Sequence, residues 1–419
     1  MSNIVIQGGK ELSGKISVNG AKNAVLPIFA ATLIAEGEYL LHNVPNLKDI
    51  ETLSALLREL GLVVEKVGEH DYKIINNGIT KVEAPYELVK EMRASFLVMG
   101  PLLANKKQAR VALPGGCAIG TRPVDIHLKG FEALGATVKM DHGFVEVSAD
   151  ELQGTNMKLD FPTVTGTENI VMAAVLAKGT TVIKNAAKEP EIVNMCEMLN
   201  AMGAKIFGAG TDKIIIEGVE KMNACEFTII SDRIEAGTFV ILSALTNGGV
   251  EVENVNLNHL EGFVKKLENM GVEVTEENGL VRAVVKDKLK ATKITTECYP
   301  GFPTDLQAQI MVLMSQAQGT SKLKETIFEN RFMHVQELDR MGAKIEVDGK
   351  TAVIEGNIKF SGAEVKATDL RAGASLVLAG LISENTTTIS DIYHIERGYE
   401  DLVGRLQKLG ANIKKIEDL

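Results

Sequence analysis

The chain has 419 residues, of which 45% are hydrophobic and 24% charged, and its formal net charge is −10 at pH 7. This composition excludes a disordered or fibrous protein, and the length predicts two domains because one core rarely serves more than about 300 residues. The acidic balance offers no broad basic face, which argues against a nucleic-acid partner. No apolar run approaches the roughly 18 residues of a membrane-spanning helix.

The N-terminal segment has no apolar stretch and no cleavage signature, so no signal peptide is predicted. The four cysteines lie far apart and form no CxxC pair, which argues against a disulfide framework and a zinc knuckle. The seven histidines show no HExxH or other ligand spacing, so we expect no metal site. Together these features indicate a protein of a reducing cytoplasm. The cysteines are Cys117, Cys196, Cys225 and Cys298.

Taken in chain order, the predicted elements form six repeats. In each repeat an apolar helical stretch ends in a Leu-Gly or Met-Gly pair, and a strand-like run follows. Glycine after an amphipathic helix is the expected C-terminal cap, so these glycines have a structural role. A fixed period is the signature of a repeat architecture. The six glycines are Gly61, Gly135, Gly203, Gly271, Gly342 and Gly410.

Each repeat also contains a second helix that is apolar on most faces, as expected for a central, buried helix. A short β-forming run follows each of them, so the repeat unit is α/β with one helix buried. These helices are predicted at residues 23–35, 93–104, 168–177, 235–245, 305–316 and 369–382.

The sixth repeat is incomplete at its C-terminal end. Earlier repeats continue into a further strand, as at residues 214–218 and 352–356, but the chain ends at Leu419. Residues 4–8 resemble the missing strand, so the N-terminus is predicted to complete the last repeat. The two domains are then residues 21–230, and residues 231–419 together with 1–20, with three repeats each. The crossings near residues 20 and 230 predict a hinge.

The starts of the buried helices are unusually polar. Residues 165–168 and 304–307 have the pattern of capping boxes, and Asp232 with Glu235 is a similar start. Helix N-termini carry partial positive charge and attract anions. Capping alone explains each residue separately, whereas the set, together with Lys22, Arg93 and Arg371, favours an anion-binding cleft between the domains. Further helix starts are Lys22-Asn23 and Thr368-Asp369-Leu370-Arg371.

Asp305 leaves two interpretations open. At the first turn of a helix it could only complement the helix dipole. It could equally be a carboxylate held near a bound hydroxyl group, where it acts as a general base.

The segment at residues 114–125 contains three glycines and two prolines, which is typical of a specialised loop. It is not a phosphate-binding P-loop, because Thr121-Arg122 stands where Gly-Lys-Ser/Thr is required. Cys117 within it is expected to be exposed near Arg122, which favours a reactive thiolate; an inert cysteine is the alternative. We interpret the other three cysteines as core or incidental residues.

Several motifs resemble the UDP-N-acetylglucosamine enolpyruvyl transferase family, also called 1-carboxyvinyltransferases, a branch of the EPSP synthase family. The resemblance extends from Asn19 to the C-terminus. It implies an α/β fold called the inside-out α/β barrel, with two domains of three repeats each, buried helices and a cleft between the domains. The matching motifs are Lys22-Asn23 and residues 114–125, 302–305, 328–334, 368–371 and 397–399.

The resemblance also implies roles for individual residues. Cys117 matches the residue that protonates C3 of phosphoenolpyruvate, and Asp305 matches the proposed base at the sugar 3′-hydroxyl. Lys22, Arg122 and Arg397 match phosphoenolpyruvate-binding positions, and Lys22 and Arg397 are predicted to be catalytic as well. Arg331 and Arg371 match carboxylate contacts. Asp369, beside Arg371, is included in the predicted binding site. The sugar-nucleotide site is implied at Asn23, Arg93, Arg122, Pro123, Val124, Asp125, Ile126, Thr163, Val164, Asp305 and Ile327.

The implied reaction is the first committed step of peptidoglycan synthesis in a bacterial cytoplasm, and it requires no metal or organic cofactor. The epoxide antibiotic fosfomycin is implied as a covalent inhibitor at Cys117. Two alternative functions stay open. One is 5-enolpyruvylshikimate-3-phosphate synthase, which shares the fold but lacks the Gly-Gly-Cys-Ala-Ile-Gly loop. The other is a non-catalytic regulator that binds UDP-sugars.

Overall fold

The computed structural model describes residues 2–113 and 124–417. The strands are β1 (Ser2–Gln7), β2 (Gly14–Ser17), β3 (Gly37–His42), β4 (Val63–Lys66), β5 (Tyr72–Asn76), β6 (Glu83–Ala84), β7 (Gln108–Ala112), β8 (Thr137–Asp141), β9 (Phe144–Ser148), β10 (Asn156–Lys158), β11 (Thr180–Lys184), β12 (Lys205–Phe207), β13 (Lys213–Glu217), β14 (Glu226–Thr228), β15 (Val250–Glu253), β16 (Val272–Glu277), β17 (Leu280–Val285), β18 (Lys293–Thr295), β19 (Thr320–Lys324), β20 (Ile345–Asp348), β21 (Thr351–Glu355), β22 (Glu364–Lys366), β23 (Thr386–Ser390) and β24 (Asn412–Glu417).

The α-helices are α1 (Lys22–Ala31), α2 (Lys48–Glu59), α3 (Tyr86–Glu91), α4 (Met99–Lys106), α5 (Asp125–Ala133), α6 (Val164–Ala174), α7 (Pro190–Ala201), α8 (Arg233–Leu245), α9 (Glu261–Asn269), α10 (Gln307–Gln316), α11 (His334–Arg340), α12 (Leu370–Ile382), α13 (Tyr393–Glu396) and α14 (Leu402–Lys408). Shorter 3-10 helices cover Arg93–Val98, Leu257–Leu260 and Thr304–Leu306. No helix in these described ranges is both long and apolar enough to cross a membrane.

The strands of the described residues form six four-stranded sheets that share one topology. In each sheet an edge strand runs parallel to the second strand, and the third and fourth strands follow in antiparallel pairing. The sheet orders are β14-β3-β5-β4, β6-β7-β9-β8, β10-β11-β13-β12, β2-β15-β17-β16, β18-β19-β21-β20 and β22-β23-β1-β24. The six predicted repeats are therefore confirmed.

The N-terminal strand completes the last repeat, as predicted. β1 lies between β23 and β24 and is antiparallel to both, with Ile4 opposite Ile389 and Lys415. Ile4 and Ile6 point into the core and are 3% and 0% exposed. Because alternate residues of a strand face opposite sides of the sheet, this register places both isoleucines on the buried face.

Contacts divide the chain into two compact units, and each holds three of the sheets. We call the described residues 20–113 and 124–230 the first unit, and residues 2–19 and 231–417 the second unit. Each unit has its own hydrophobic core. In one sheet of each unit, the edge strand comes from a part of the sequence far from its neighbouring strand. β2 pairs with β15 in the second unit, and β14 pairs with β3 in the first. The hinge near residues 20 and 230 stays a prediction.

The predicted buried helices are all present, with shifted ends. In α8 every residue from Ile234 to Ala244 is buried, and α10 and α12 are buried over nearly their whole lengths. The helix predicted at 93–104 is a 3-10 helix followed by α4. Pro101 lies in the first turn of α4, where its missing N–H costs no helical hydrogen bond, so α4 starts there rather than at Arg93.

Two of the predicted capping boxes are wrong. α6 begins at Val164, so Thr165 lies inside the helix, and its Oγ1 is 3.3 Å from His127 Nε2. Thr304 Oγ1 donates to Glu325 Oε2 at 2.9 Å instead of capping its own helix. The predicted start at Asp232 is confirmed, because its Oδ1 accepts hydrogen bonds from the N–H groups of Ile234 and Glu235.

Candidate functional site

The predicted site residues fall into both units. Cys117, Arg122 and Pro123 lie outside the described residues. The second unit carries Asp305, Ile327, Arg331, Asp369, Arg371 and Arg397. The first unit carries Lys22, Asn23, Arg93, Val124, Asp125, Ile126, Thr163 and Val164.

Asp305 binds two arginines from distant parts of the sequence. Arg331 Nη2 donates to Oδ1 at 2.7 Å, and Arg371 Nη2 donates to Oδ2 at 3.0 Å. The side chains of Arg331 and Arg371 are only 5% and 6% exposed, whereas Asp305 is 27% exposed. Burial alone would raise the pKa of the Asp305 carboxyl, but the two guanidinium groups hold it far below its usual range. A helix-dipole role does not account for these partners.

Asp369 positions Arg371 through the backbone. Its Oδ1 accepts hydrogen bonds from the N–H groups of Arg371 at 2.8 Å and Ala372 at 3.1 Å, so it is the N-cap of α12. An N-cap fixes the first turn of its helix and satisfies otherwise unpaired N–H groups. The cap therefore fixes the backbone from which the Arg371 side chain reaches Asp305.

Arg331 retains unused hydrogen-bonding capacity. Its Nη1 is buried and makes no hydrogen bond to any described residue, and its guanidinium lies 5.1 Å from the centre of the Phe328 ring. The buried hydroxyl of Thr368 makes no hydrogen bond within the same part of the chain. Buried polar atoms without a partner are rare in native proteins and call for water or a ligand. An acceptor-rich ligand, such as a carboxylate, would satisfy Arg331 Nη1.

A buried network lies behind Asp305. Gln309 Nε2 donates to the Asp305 carbonyl at 3.0 Å and to Thr238 Oγ1 at 3.2 Å. Thr238 Oγ1 is 2.8 Å from the hydroxyl of Tyr399, which follows Arg397 by two residues. Gln309, Thr238 and Tyr399 are each at most 3% exposed. The network joins α8, α10 and the segment that carries Arg397.

In the first unit, Lys22 is held at the start of α1 by a buried carboxylate. Its Nζ donates to Asp49 Oδ2 at 3.0 Å, and the two side chains are 13% and 4% exposed. Asn23 is the next residue of α1 and is half-buried. The ion pair limits the positions available to the Lys22 ammonium group, so it is presented from a fixed point on the helix.

His127 connects the remaining first-unit segments. Its Nδ1 is 3.0 Å from Asn169 Nδ2 on α6, and its ring lies edge-on to Phe96. Burial and then the charge of Arg93 lower the pKa of His127 to about 4. The neutral imidazole therefore accepts from Asn169 at Nδ1 and donates from Nε2 to Thr165, its second partner. These two hydrogen bonds hold residues 124–126, which precede His127, close to the start of α6 at Thr163 and Val164.

Sequence reasoning missed Glu325, Gln309, Thr238, His127 and Asn169. Only some of them gave a signal. Gln309 and Asn169 are polar residues within helices predicted to be apolar on most faces, and such residues need buried partners. Nothing in the local sequence identifies the partners.

Two of the described cysteines, Cys196 and Cys225, have raised thiol pKa values, which disfavours the reactive thiolate. Cys196 is buried, and burial together with the nearby Glu168 raises the pKa of its thiol to about 12. Burial also raises the pKa of the half-buried Cys225. The interpretation of Cys196 as a core residue is confirmed. Within residues 2–113 and 124–417, no group of three or more His, Cys, Asp or Glu residues could hold a metal ion.

The amino-acid sequence matches the family model described as EPSP synthase (3-phosphoshikimate 1-carboxyvinyltransferase) over residues 6–406. A protein of Desulfatibacillum aliphaticivorans named UDP-N-acetylglucosamine 1-carboxyvinyltransferase is 53% identical over 417 residues, which is 100% of both chains. A protein of Sorangium cellulosum with the same name is 54% identical over 425 residues, covering 100% of this chain and 99% of the relative.

Two solved structures are similar over the full length. The enolpyruvyl transferase NikO from Streptomyces tendae has a TM-score of 0.90 at 24% identity, and the match covers 100% of this chain and 99% of NikO. An EPSP synthase from Acinetobacter baumannii has a TM-score of 0.78 at 20% identity, with 100% of both chains covered. These similarities confirm the predicted fold.

Proposed function

Because the chain belongs to the EPSP synthase family of enolpyruvyl transferases, we propose that it transfers the enolpyruvyl group of phosphoenolpyruvate to the 3′-hydroxyl of UDP-N-acetylglucosamine and releases phosphate. The relatives that are 53% and 54% identical carry the name of this activity. The structural observation that supports the proposal is the Asp305 carboxylate held between Arg331 and Arg371.

The acceptor half of the reaction requires a base, and the strength of that base depends on its two arginines. Asp305 removes the proton of the 3′-hydroxyl as the oxygen attacks C2 of phosphoenolpyruvate. Its two arginines keep it ionised but also weaken it as a base. The carboxylate of phosphoenolpyruvate, bound to Arg331 and Arg371, neutralises part of their charge, which raises the pKa of Asp305 when the base is needed. Arg331 Nη1, which has no partner in the described structure, supports such a contact.

The donor half requires an acid and several cations, because phosphoenolpyruvate is highly anionic. Lys22, Arg122 and Arg397 bind it, and Cys117 donates a proton to C3. Attack at C2 then gives a tetrahedral intermediate. Loss of a proton from C3 and departure of phosphate from C2 restore the double bond, now on the sugar ether. Asn23, Arg93, Asp125 and Thr163 contribute to the sugar-nucleotide site, together with Pro123, Val124, Ile126, Val164, Ile327 and Asp369.

The decisive assay measures phosphate release from phosphoenolpyruvate with each acceptor in turn. We expect release with UDP-N-acetylglucosamine and loss of that activity after incubation with fosfomycin, which would react with Cys117. Release with shikimate 3-phosphate alone would overturn the proposal in favour of the alternative synthase. Binding of UDP-N-acetylglucosamine without any phosphate release would instead identify a non-catalytic regulator.

In the cell this reaction is the first committed step of peptidoglycan synthesis in the bacterial cytoplasm, on which cell shape and division depend. Depletion of the protein should then raise the pool of UDP-N-acetylglucosamine and deplete its enolpyruvyl product. Unchanged pools on depletion would count against this place in metabolism.

A further inference from the structure

Glu325 is a buried carboxylate whose two oxygens accept hydrogen bonds from residues of its own unit. It follows β19 directly and is 1% exposed. Its Oε1 accepts from Thr296 Oγ1 at 2.8 Å, from the N–H of Ile327 at 2.8 Å and from the N–H of Phe328 at 3.2 Å. Its Oε2 accepts from Thr304 Oγ1 at 2.9 Å. A buried charge is costly unless its lone pairs are satisfied, and here four donors satisfy them.

These four bonds join three chain segments. Thr296 follows β18, Thr304 opens the turn that carries Asp305, and residues 327–331 include Ile327 and Arg331. The latter two segments are also joined by the ion pair between Asp305 and Arg331. Glu325 and that ion pair are therefore two separate connections between the same pieces of chain.

The two connections differ in their exposure to a ligand. Asp305 is 27% exposed, and a substrate anion that binds Arg331 at Nη1 weakens the ion pair at Nη2 by neutralising part of the guanidinium charge. Glu325 is almost completely buried, so a bound ligand does not compete for its bonds. When the ion pair weakens, the hydrogen bonds of Glu325 still hold the Asp305 turn and the 327–331 segment in fixed positions relative to each other.

We propose that Glu325 is a positioning residue for the acceptor side of the reaction, which fixes Asp305 through Thr304 and fixes Ile327 through its backbone N–H. The inference rests on the proposed enolpyruvyl transfer. Because Glu325 is 1% exposed, it acts through these neighbours and not by contact with a substrate. Its effect is on the distance between the base and the hydroxyl that the base deprotonates, a distance to which rates are sensitive.

The sharpest test is Thr304→Val, which removes one hydroxyl of nearly unchanged shape and cuts only the connection to the Asp305 turn. We expect kcat to fall by about 10- to 100-fold, the effect of a misplacement near 1 Å, with KM for phosphoenolpyruvate nearly unchanged. Thr326→Val is the matched control. It removes a hydroxyl of the neighbouring residue that donates to the Thr296 carbonyl. This hydroxyl bonds to neither Glu325 nor Asp305, so kcat should be unaffected.

Two further variants separate positioning from folding. Glu325→Ala removes all four bonds and should lose more activity than Thr304→Val. Glu325→Gln should restore most of the wild-type kcat, because the amide oxygen accepts from the backbone N–H groups and the amide nitrogen donates to Thr304 Oγ1. Wild-type kcat in Thr304→Val, or equal losses in Thr304→Val and Thr326→Val, would overturn the inference. Failure of the wild-type protein itself to release phosphate would overturn the proposed function instead.

Discussion

Arg331 Nη2 and Asp305 Oδ1 form a 2.7 Å ion pair between residues 26 positions apart, and the arginine side chain is 5% exposed. With Arg371 on the other oxygen, the carboxylate has two cationic partners that hold it in one orientation. The two guanidinium groups keep Asp305 ionised at physiological pH. Its strength as a base therefore depends mainly on how strongly these two groups bind it.

Asp305→Asn is expected to lower kcat by about 10²- to 10⁴-fold, because an amide cannot take the proton of the acceptor hydroxyl. Steady-state phosphate release at saturating concentrations of both substrates measures the effect. Asp348→Asn, at an exposed position on β20, is the control and should keep full activity. A kcat within a factor of about three of the wild-type value would remove Asp305 from the role of base.

The same substitution should destabilise the protein in a pH-dependent way. It leaves two buried guanidinium groups without their carboxylate, which typically costs about 3–5 kcal/mol in the free energy of unfolding. Because the pKa of Asp305 is lowered in the folded state, its contribution is fully present above the pKa of the unfolded carboxyl and is lost as the pH falls through the folded pKa. Urea unfolding of both proteins should therefore differ most near neutrality and converge in acid. A constant difference down to strongly acidic pH would contradict this.

Cysteine labelling should single out Cys117. We expect fosfomycin or iodoacetamide to modify Cys117 at neutral pH and to leave Cys196 unmodified, since Cys196 is 1% exposed and its pKa is raised to about 12. Peptide mass spectrometry identifies the modified thiol. Cys117→Ser should abolish turnover with an unchanged circular dichroism spectrum, while Cys225→Ser should remain active. Equal labelling of Cys117 and Cys196 would contradict the prediction that Cys117 is the reactive thiol.

Glu168 should make the stability of the protein fall as the pH rises, which is opposite to the effect of Asp305. Burial and the nearby Glu191 and Glu189 raise the pKa of its carboxyl, and its Oε1 makes no hydrogen bond within the described chain. As the pH rises above the usual glutamate range, the unfolded chain loses this proton first, so stability falls. Glu168→Gln removes that loss and should gain in melting temperature relative to the wild type from pH 5 to pH 8. The exposed Glu132→Gln should show no such trend, and a flat difference for Glu168→Gln would refute the argument.

The repeat architecture could be predicted because the sequence repeats its own local signals. Gly61 and its five equivalents all have positive φ, which the Leu-Gly and Met-Gly pairs indicate without any tertiary information. The role of residues 4–8 followed from a strand missing at the other end of the chain. These signals come from residues that are close in sequence or from the regular spacing of the six repeats.

The site was predictable only in part. The family resemblance predicts Asp305, Arg331 and Arg371 each as site residues, but their pairing joins positions 26 and 66 apart, and no local pattern encodes it. The capping boxes at Thr165 and Thr304 failed for the same reason, since the partners that occupy these hydroxyls are His127 and Glu325. A side chain that can bond either to its own helix or to a distant residue cannot be assigned from the sequence alone.

The N-terminal strand gives a stability prediction that is independent of the chemistry. Ile6→Ala removes a fully buried side chain from β1 and should lower the free energy of unfolding by about 2–5 kcal/mol. The substitution should reduce amide-exchange protection in β23 and β24, which flank β1, while β3 and β5 of the first unit keep theirs. Val5→Ala on the opposite face of the same strand is the control and should cost clearly less, because Val5 is only half-buried. Equal costs at the two positions would mean that the register of β1, and with it the completion of the sixth repeat by the N-terminus, is wrong.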